Sequence, residues 1–250
     1  MTHRPPSWSR RWPLALARQL GHSLLPPSCA LCGARSEAAV CGDCHAQFLG
    51  PGPARCARCA NPLGAPDARL ACGACQAHPP AFDATIVAAD YSAPLDQLVL
   101  QLKFGGTLAL APWFGRALGA AVAQAGAALP DILCPVPLGP RRLAERGFNQ
   151  ALEIARPLSK ALGVDLRPAL AIRLRDTAAQ SGVAPAERKK NIRHAFIVAP
   201  QALAAVRGRH IGVVDDVMTS GATLHELAAM FKRFGAARVS NFVFARTPPH

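Results

Sequence analysis

The stretch VVDDVMTSGAT occupies residues 213–223. Before it, HIGVV (residues 210–214) is a short apolar run that predicts a buried strand. Two acids follow, Asp215 and Asp216, then Val217 and Met218, then the turn Thr219, Ser220, Gly221, Ala222 and Thr223. Helical periodicity resumes over residues 223–234. A small, hydroxyl-rich turn at a helix N-terminus offers free backbone N–H groups and the positive end of the helix dipole, which together make a phosphate site. Thr219, Ser220 and Thr223 add side-chain donors, and Gly221 lets the backbone come close. Carboxylates repel phosphate, so the acid pair serves another purpose, accepting sugar hydroxyls or holding a metal ion that bridges to them. Phosphate donors at one end and hydroxyl acceptors at the other describe a ribose 5-phosphate. The plainer alternative is an ordinary N-cap beside solvated acids. The position of the pair directly after a buried strand speaks against it.

Outward from this stretch, strand and helix patterns alternate. Strands are expected at residues 82–89, 131–136, 194–198 and 237–245, and helices at 91–104, 108–125 and 149–162. Such alternation predicts an α/β fold: a parallel sheet flanked by helices. Ligands then bind beyond the C-terminal ends of the strands, so the loops after Val136 and Val214 are the place to look.

The N-terminal third differs. Eight of nine cysteines form four C-x-x-C pairs: Cys29/Cys32, Cys41/Cys44, Cys56/Cys59 and Cys72/Cys75. Each pair is a knuckle that places two sulfurs on one side, and two knuckles complete a tetrahedral four-sulfur zinc site. Spacing favours pairing in sequence order over an interleaved arrangement; His45 and His78 stand close enough to replace a thiolate. All-thiolate sites are closed, hence structural. They also answer a stability problem, because this Gly/Pro-rich segment has few bulky apolar residues. The ninth thiol, Cys134, lies in an apolar run and reads as a buried strand residue.

The chain carries 28 Lys+Arg against 15 Asp+Glu, a surplus suited to polyanions or to a genome rich in arginine codons. No apolar run approaches the ~20 residues that cross a bilayer, so no transmembrane span is expected. Residues 13–24 read as a short basic amphipathic helix, packed on the body or touching a membrane surface. No export signal is visible, which predicts a cytoplasmic protein with zinc rather than disulfides.

Residues 211–223 resemble the phosphoribosyl pyrophosphate signature of type I phosphoribosyltransferases, with Gly212 in one apolar position. Three further blocks, residues 91–106 ending LKFGG, 135–150 (PVPLGPRRLAERGFNQ) and 173–196 (RLRDTAAQSGVAPAERKKNIRHAF), join the cysteine pairs in resembling the ComF/GntX family. The resemblance implies a type I phosphoribosyltransferase fold behind a double zinc ribbon. The expected division is a basic segment at 1–25, the ribbon at 26–80 and the transferase-like domain at 81–250. It further implies that Val136, Pro137 and Leu138 form a pyrophosphate loop, with Arg141, Arg142 and Arg146 to neutralise it. Asp215 and Asp216 would carry the catalytic electrostatics, and residues 218–223 would hold the 5-phosphate of phosphoribosyl pyrophosphate with Mg2+. The basic stretch 173–193 reads as a loop that closes over the site.

The family is associated with DNA uptake in natural transformation. The alternative is therefore a non-catalytic factor that binds single-stranded DNA beside a helicase-type partner. Against it, the only aromatic in the zinc region is Phe48. A third option makes the ribbons a protein-docking module. A glutamine-dependent amidotransferase is not expected, because that activity needs a glutaminase domain with an N-terminal cysteine and this chain starts Met1-Thr2-His3. No general base and no nucleobase-reading hood stands out, so the acceptor is not legible.

Overall fold

The computed structural model describes residues 27–50, 52–64, 71–174 and 195–248. The amphipathic segment at 13–24 and most of the basic stretch at 173–193 lie outside them.

Two short helices, α1 (Gly42–Phe48) and α2 (Gly73–Ala77), each begin just after a knuckle cysteine, Cys41 and Cys72. The body then runs β1 (Ala84–Asp90), α3 (Leu95–Phe104), α4 (Ala111–Gln124), β2 (Ile132–Pro135), α5 (Pro140–Arg146) and α6 (Gln150–Leu162). It continues with β3 (Asp165–Leu166), β4 (Ala171–Arg173), β5 (Phe196–Val198), α7 (Leu203–Val206), β6 (His210–Met218), α8 (Ala222–Arg233) and β7 (Arg238–Arg246). Five strands form a sheet in the order β1-β7-β6-β2-β3, with every pairing parallel. β4 and β5 pair separately and antiparallel.

Alternation within the strands explains why both faces are covered. Ile211, Val213, Val239 and Val243 join one core with Leu224, Leu227 and Phe231 of α8. Val214, Phe242 and Phe244 join a second core with Trp113, Phe114 and Leu118 of α4 and with Ile154 and Leu158 of α6. Successive side chains on a strand point to opposite faces, so a strand buried on both sides reads as an unbroken apolar run. Gly212 fits the same picture. A Cβ there would sit 2.7 Å from Leu133 Cδ2 and 2.8 Å from the Phe242 ring, so the crowded sheet admits only glycine where the signature has an apolar residue.

α6 shows how sequence sets boundaries. Asn149 caps it, its side chain accepting from the N–H groups of Ala151 and Leu152. Gly163 stops it in the left-handed region at φ +67°.

Several expected elements shift. α3 begins at Leu95 rather than residue 91, because Pro94 bars the residue before it from helical geometry. The helix expected at 108–125 splits into a 3-10 turn, Leu108–Leu110, and α4. The most consequential correction is β6. Periodicity ends it at Val214, but pairing with β7 carries it through Asp215 and Val217 to Met218. The acid pair therefore lies inside a strand, not in a loop. Among the described residues no helix is long and apolar enough to cross a membrane.

Candidate functional site

β2 and β6 are parallel neighbours, and β3 lies outside β2 while β7 lies on the far side of β6. The chain direction across the sheet reverses between β2 and β6, the position where open α/β sheets bind ligands. A cleft of about 870 Å³ lies there. From β6 and the turn after it come Asp215, Asp216, Met218, Thr219, Ser220, Gly221, Ala222 and Thr223. From the loop after β2 and from α5 come Val136, Leu138, Arg142 and Arg146. Pro137 and Arg141 are not in the lining; Arg141 is largely exposed and pairs with Glu145 at 2.7 Å.

The acid pair is buried, Asp215 at 9% exposure and Asp216 at 3%. Asp215 Oδ1 accepts from the Asp216 N–H at 2.9 Å. Lys103, at the end of α3, brings Nζ to 2.8 Å from Asp216 Oδ2. The two groups form an ion pair within hydrogen-bonding distance. Gln150 Nε2 reaches Asp216 Oδ1 at 3.5 Å, and Gln150 Oε1 in turn accepts from Arg146. Burial, then the neighbouring Asp216 charge, pushes the Asp215 carboxyl well above the ordinary range. Burial also opposes the charge on Asp216, but Lys103 outweighs it and holds that carboxyl down. Lys103 is itself desolvated, yet Asp216 raises its pKa. One carboxylate and one ammonium therefore form a charged pair beside a second carboxyl that burial drives toward its neutral form.

The turn after β6 matches the expectation of backbone donors. Gly221 is left-handed at φ +76°, and a Cβ there would lie 2.6 Å from Met218 Cε. Among the described residues, the N–H groups of Thr219, Ser220 and Gly221 donate to no protein acceptor. Ala222 N–H has only a long contact, 3.4 Å, to Ser220 Oγ.

Sequence patterns miss several lining residues. Lys103 stands in LKFGG, where its spacing looks like an ordinary helix end, and it meets Asp216 only through the fold. Tyr91, Phe104, Phe148 and Arg173 also line the cleft. Phe104 is 74% exposed, with the Arg146 guanidinium 5.5 Å from its ring centre.

The cysteines gather into two groups in sequence order, Cys29/Cys32/Cys41/Cys44 and Cys56/Cys59/Cys72/Cys75. Within each, the four sulfurs lie within 4.8 Å of one another. Cys32 and Cys41 sulfurs are 3.8 Å apart, and those of Cys59 and Cys72 are 3.6 Å apart. Four sulfurs about 2.3 Å from a central zinc stand at about that separation, so both sets fit a tetrahedral ion. Backbone donors prepare thiolates: Leu31 and Cys41 N–H groups point at Cys29 Sγ, and Cys72 N–H at Cys56 Sγ. Burial works against charge at Cys29 and Cys56, but backbone N–H groups, those of Cys32 and Cys59 foremost and then those of Cys41 and Cys72, prevail and bring them to about 6 and about 7. Neither His45 nor His78 belongs to either group. Cys134 is fully buried in β2, as its surroundings predict.

Residues 20–76 match the double zinc ribbon domain family, and residues 149–249 match the phosphoribosyl transferase domain family. The DNA utilization protein YhgH of Escherichia coli K12 is 35% identical over 246 residues, 96% of each chain. Competence protein F of Haemophilus influenzae is 30% identical over 183 residues, 70% of this chain and 78% of that one. Among solved structures, the glutamine phosphoribosylpyrophosphate amidotransferase of B. subtilis aligns at 21% identity over 53% of this chain and 26% of that one, with a TM-score of 0.36. The parallel sheet with flanking helices, the two four-cysteine clusters ahead of it and the curated relatives agree: the chain belongs to the ComF/GntX family, a double zinc ribbon joined to a type I phosphoribosyltransferase fold.

Proposed function

We propose that the cleft binds phosphoribosyl pyrophosphate. The observation that carries this reading is one of position. A buried carboxyl pair lies near the end of β6, unpaired N–H donors follow within five residues, and Lys103, Arg142 and Arg146 line the same cleft. The 5-phosphate would take the N–H groups and hydroxyls of residues 219–223. The ribose hydroxyls would donate to Asp215 and Asp216. The pyrophosphate would lie against Arg142 and Arg146, in reach of Lys103 once ligand hydroxyls compete for Asp216.

Once Lys103 turns from Asp216 to the pyrophosphate, the Asp216 carboxylate would suit a hard cation such as Mg2+ carried in with the ligand. Bound there, it would offset pyrophosphate charge. The protein's own part in a transfer would be electrostatic: the Asp216 carboxylate favours positive charge developing on the ribose ring as pyrophosphate leaves C1. The names of the relatives support a setting in competence or DNA utilization, with DNA uptake as the process served.

A second reading has its own observation. Tyr91, Phe104 and Phe148 line the same cleft as Lys103, Arg142, Arg146 and Arg173, a mix of rings and cations that suits single-stranded DNA. That reading predicts binding that weakens steeply with salt in a gel-shift titration.

Thermal unfolding tests the first reading. Phosphoribosyl pyrophosphate with Mg2+ at about 100 times its Kd should add about 2.7 kcal/mol, or about 5–10 °C in Tm. The Asp215→Asn/Asp216→Asn double variant should show no such rise. An unshifted wild type at millimolar ligand would overturn the assignment.

A further inference from the structure

Arg246, the last residue of β7, is buried at 7% exposure beneath the turn after β6. Its Nε donates to the Cys59 carbonyl at 3.0 Å. Its Nη1 donates to the carbonyls of Met218 at 3.1 Å and Thr219 at 2.5 Å, and also to Thr247 O. One guanidinium thus joins the second cysteine cluster to the turn that forms the cleft.

The peptide geometry at both ends gives that link a consequence. In a planar trans peptide the N–H and C=O point in opposite directions. The Met218 carbonyl accepts from Arg246 and from the Thr247 N–H at 3.0 Å, and the Thr219 carbonyl accepts from Arg246, so the N–H groups of Thr219 and Ser220 face the other way, into the cleft their residues line. The Cys59 carbonyl is set by the same rule. Ala60 N–H donates to Cys56 O at 2.8 Å across the knuckle, which turns the Cys59 carbonyl outward to Arg246. Ala60 holds this shape at φ +57°, a left-handed conformation that a non-glycine residue adopts only under constraint. Zinc across Cys56, Cys59, Cys72 and Cys75 is the constraint the cluster fits.

The first cluster has no such link. Among the described residues its hydrogen bonds stay within its own knuckles, and it meets the body through apolar contacts, with the His45 ring 6.0 Å from Trp113 on α4.

We propose that the second zinc site sets the geometry of the phosphate turn through Arg246. Arg246 is a positioning residue: it orients donor N–H groups from behind and touches no ligand. Loss of zinc from the second site loosens the turn, whereas loss from the first does not.

Hydrogen exchange of the full-length protein tests this. Peptides covering 217–224 should exchange about tenfold faster in Arg246→Gln and in Cys72→Ser, and at the wild-type rate in Cys32→Ser. Exchange of β2 peptides should stay unchanged in all three, which separates local loosening from general destabilisation. Arg246→Gln keeps all eight zinc ligands, so it carries the test even if Cys72→Ser folds poorly. Affinity for phosphoribosyl pyrophosphate, measured by calorimetry, should fall about tenfold in Arg246→Gln, in step with the loosened turn. A wild-type exchange rate in Arg246→Gln, or equal acceleration in Cys32→Ser and Cys72→Ser, would overturn the proposal. The affinity arm rests on the reading of the cleft as a ribose-phosphate site. A wild type that binds no phosphoribosyl pyrophosphate would sink that reading while the exchange contrast still judges the link.

Discussion

Chelation should release two zinc ions per chain and make eight of the nine thiols reactive, leaving Cys134 protected until the sheet itself unfolds. Structural zinc contributes about 10–16 kcal/mol in small zinc-finger peptides, comparable to the roughly 5–15 kcal/mol that holds a whole domain. The ribbon has little to replace it. Outside the cysteines, its buried apolar residues are few, Val40 and Ala60 among them. Without metal, Cys59 is pushed up to about 11 by burial and by neighbouring thiols, so a chelated cluster resists carrying four charges. The check is metal analysis followed by thiol counting before and after chelation. A content near one zinc per chain would mean that one cluster is not a site. Rapid reaction of Cys134 along with the rest would mean that the body depends on the ribbon.

Substituting the two adjacent acids should move stability in opposite directions. Asp215 keeps its proton in the folded state to a pH well above the unfolded value near 3.8, so folded-state stability falls as pH rises through that window. Asp215→Asn removes this penalty and should raise the Tm of the ligand-free protein at neutral pH. Asp216 is the reverse. Its depressed pKa contributes stability that is present above 3.8 and is lost as pH falls through the folded value. Asp216→Asn removes that contribution and leaves Lys103 without its partner, so it should lower Tm. Each effect should be about 1–3 kcal/mol, or about 2–12 °C for a chain of this size. Both variants should lose ligand stabilisation. Parallel changes of the same sign would contradict the assignment of charge within the pair. A gain in stability from deleting a buried acid would also mark Asp215 as a residue kept for function at a structural cost.

The cysteine clusters and the longer strands and helices of the body are legible in the sequence because each rests on local spacing. The C-x-x-C pairs assemble in sequence order. Asn149 and Gly163 mark the ends of α6 as capping chemistry predicts. Features that depend on distant partners are not legible. Two acids after an apolar run look like a loop, yet pairing of Asp215 with Val243 and Met218 with Arg246 extends β6 past them. Lys103 meets Asp216 across more than a hundred residues, and no spacing rule connects them. α5 buries no residue and so carries no apolar periodicity to betray it. Arg246 follows a strand pattern and resembles a polar terminus, although it lies buried under the cleft's floor.

On the proposed reading, the turn at 219–223 and the acid pair before it hold a phosphorylated ribose. A crystal structure of the protein with phosphoribosyl pyrophosphate and Mg2+ tests it most directly. The 5-phosphate should lie within hydrogen-bonding distance, about 2.7–3.2 Å, of the Ser220 and Gly221 N–H groups, with ribose hydroxyls donating to Asp215 and Asp216. Ligand bound elsewhere on the protein, or no bound ligand at millimolar concentration, would contradict it.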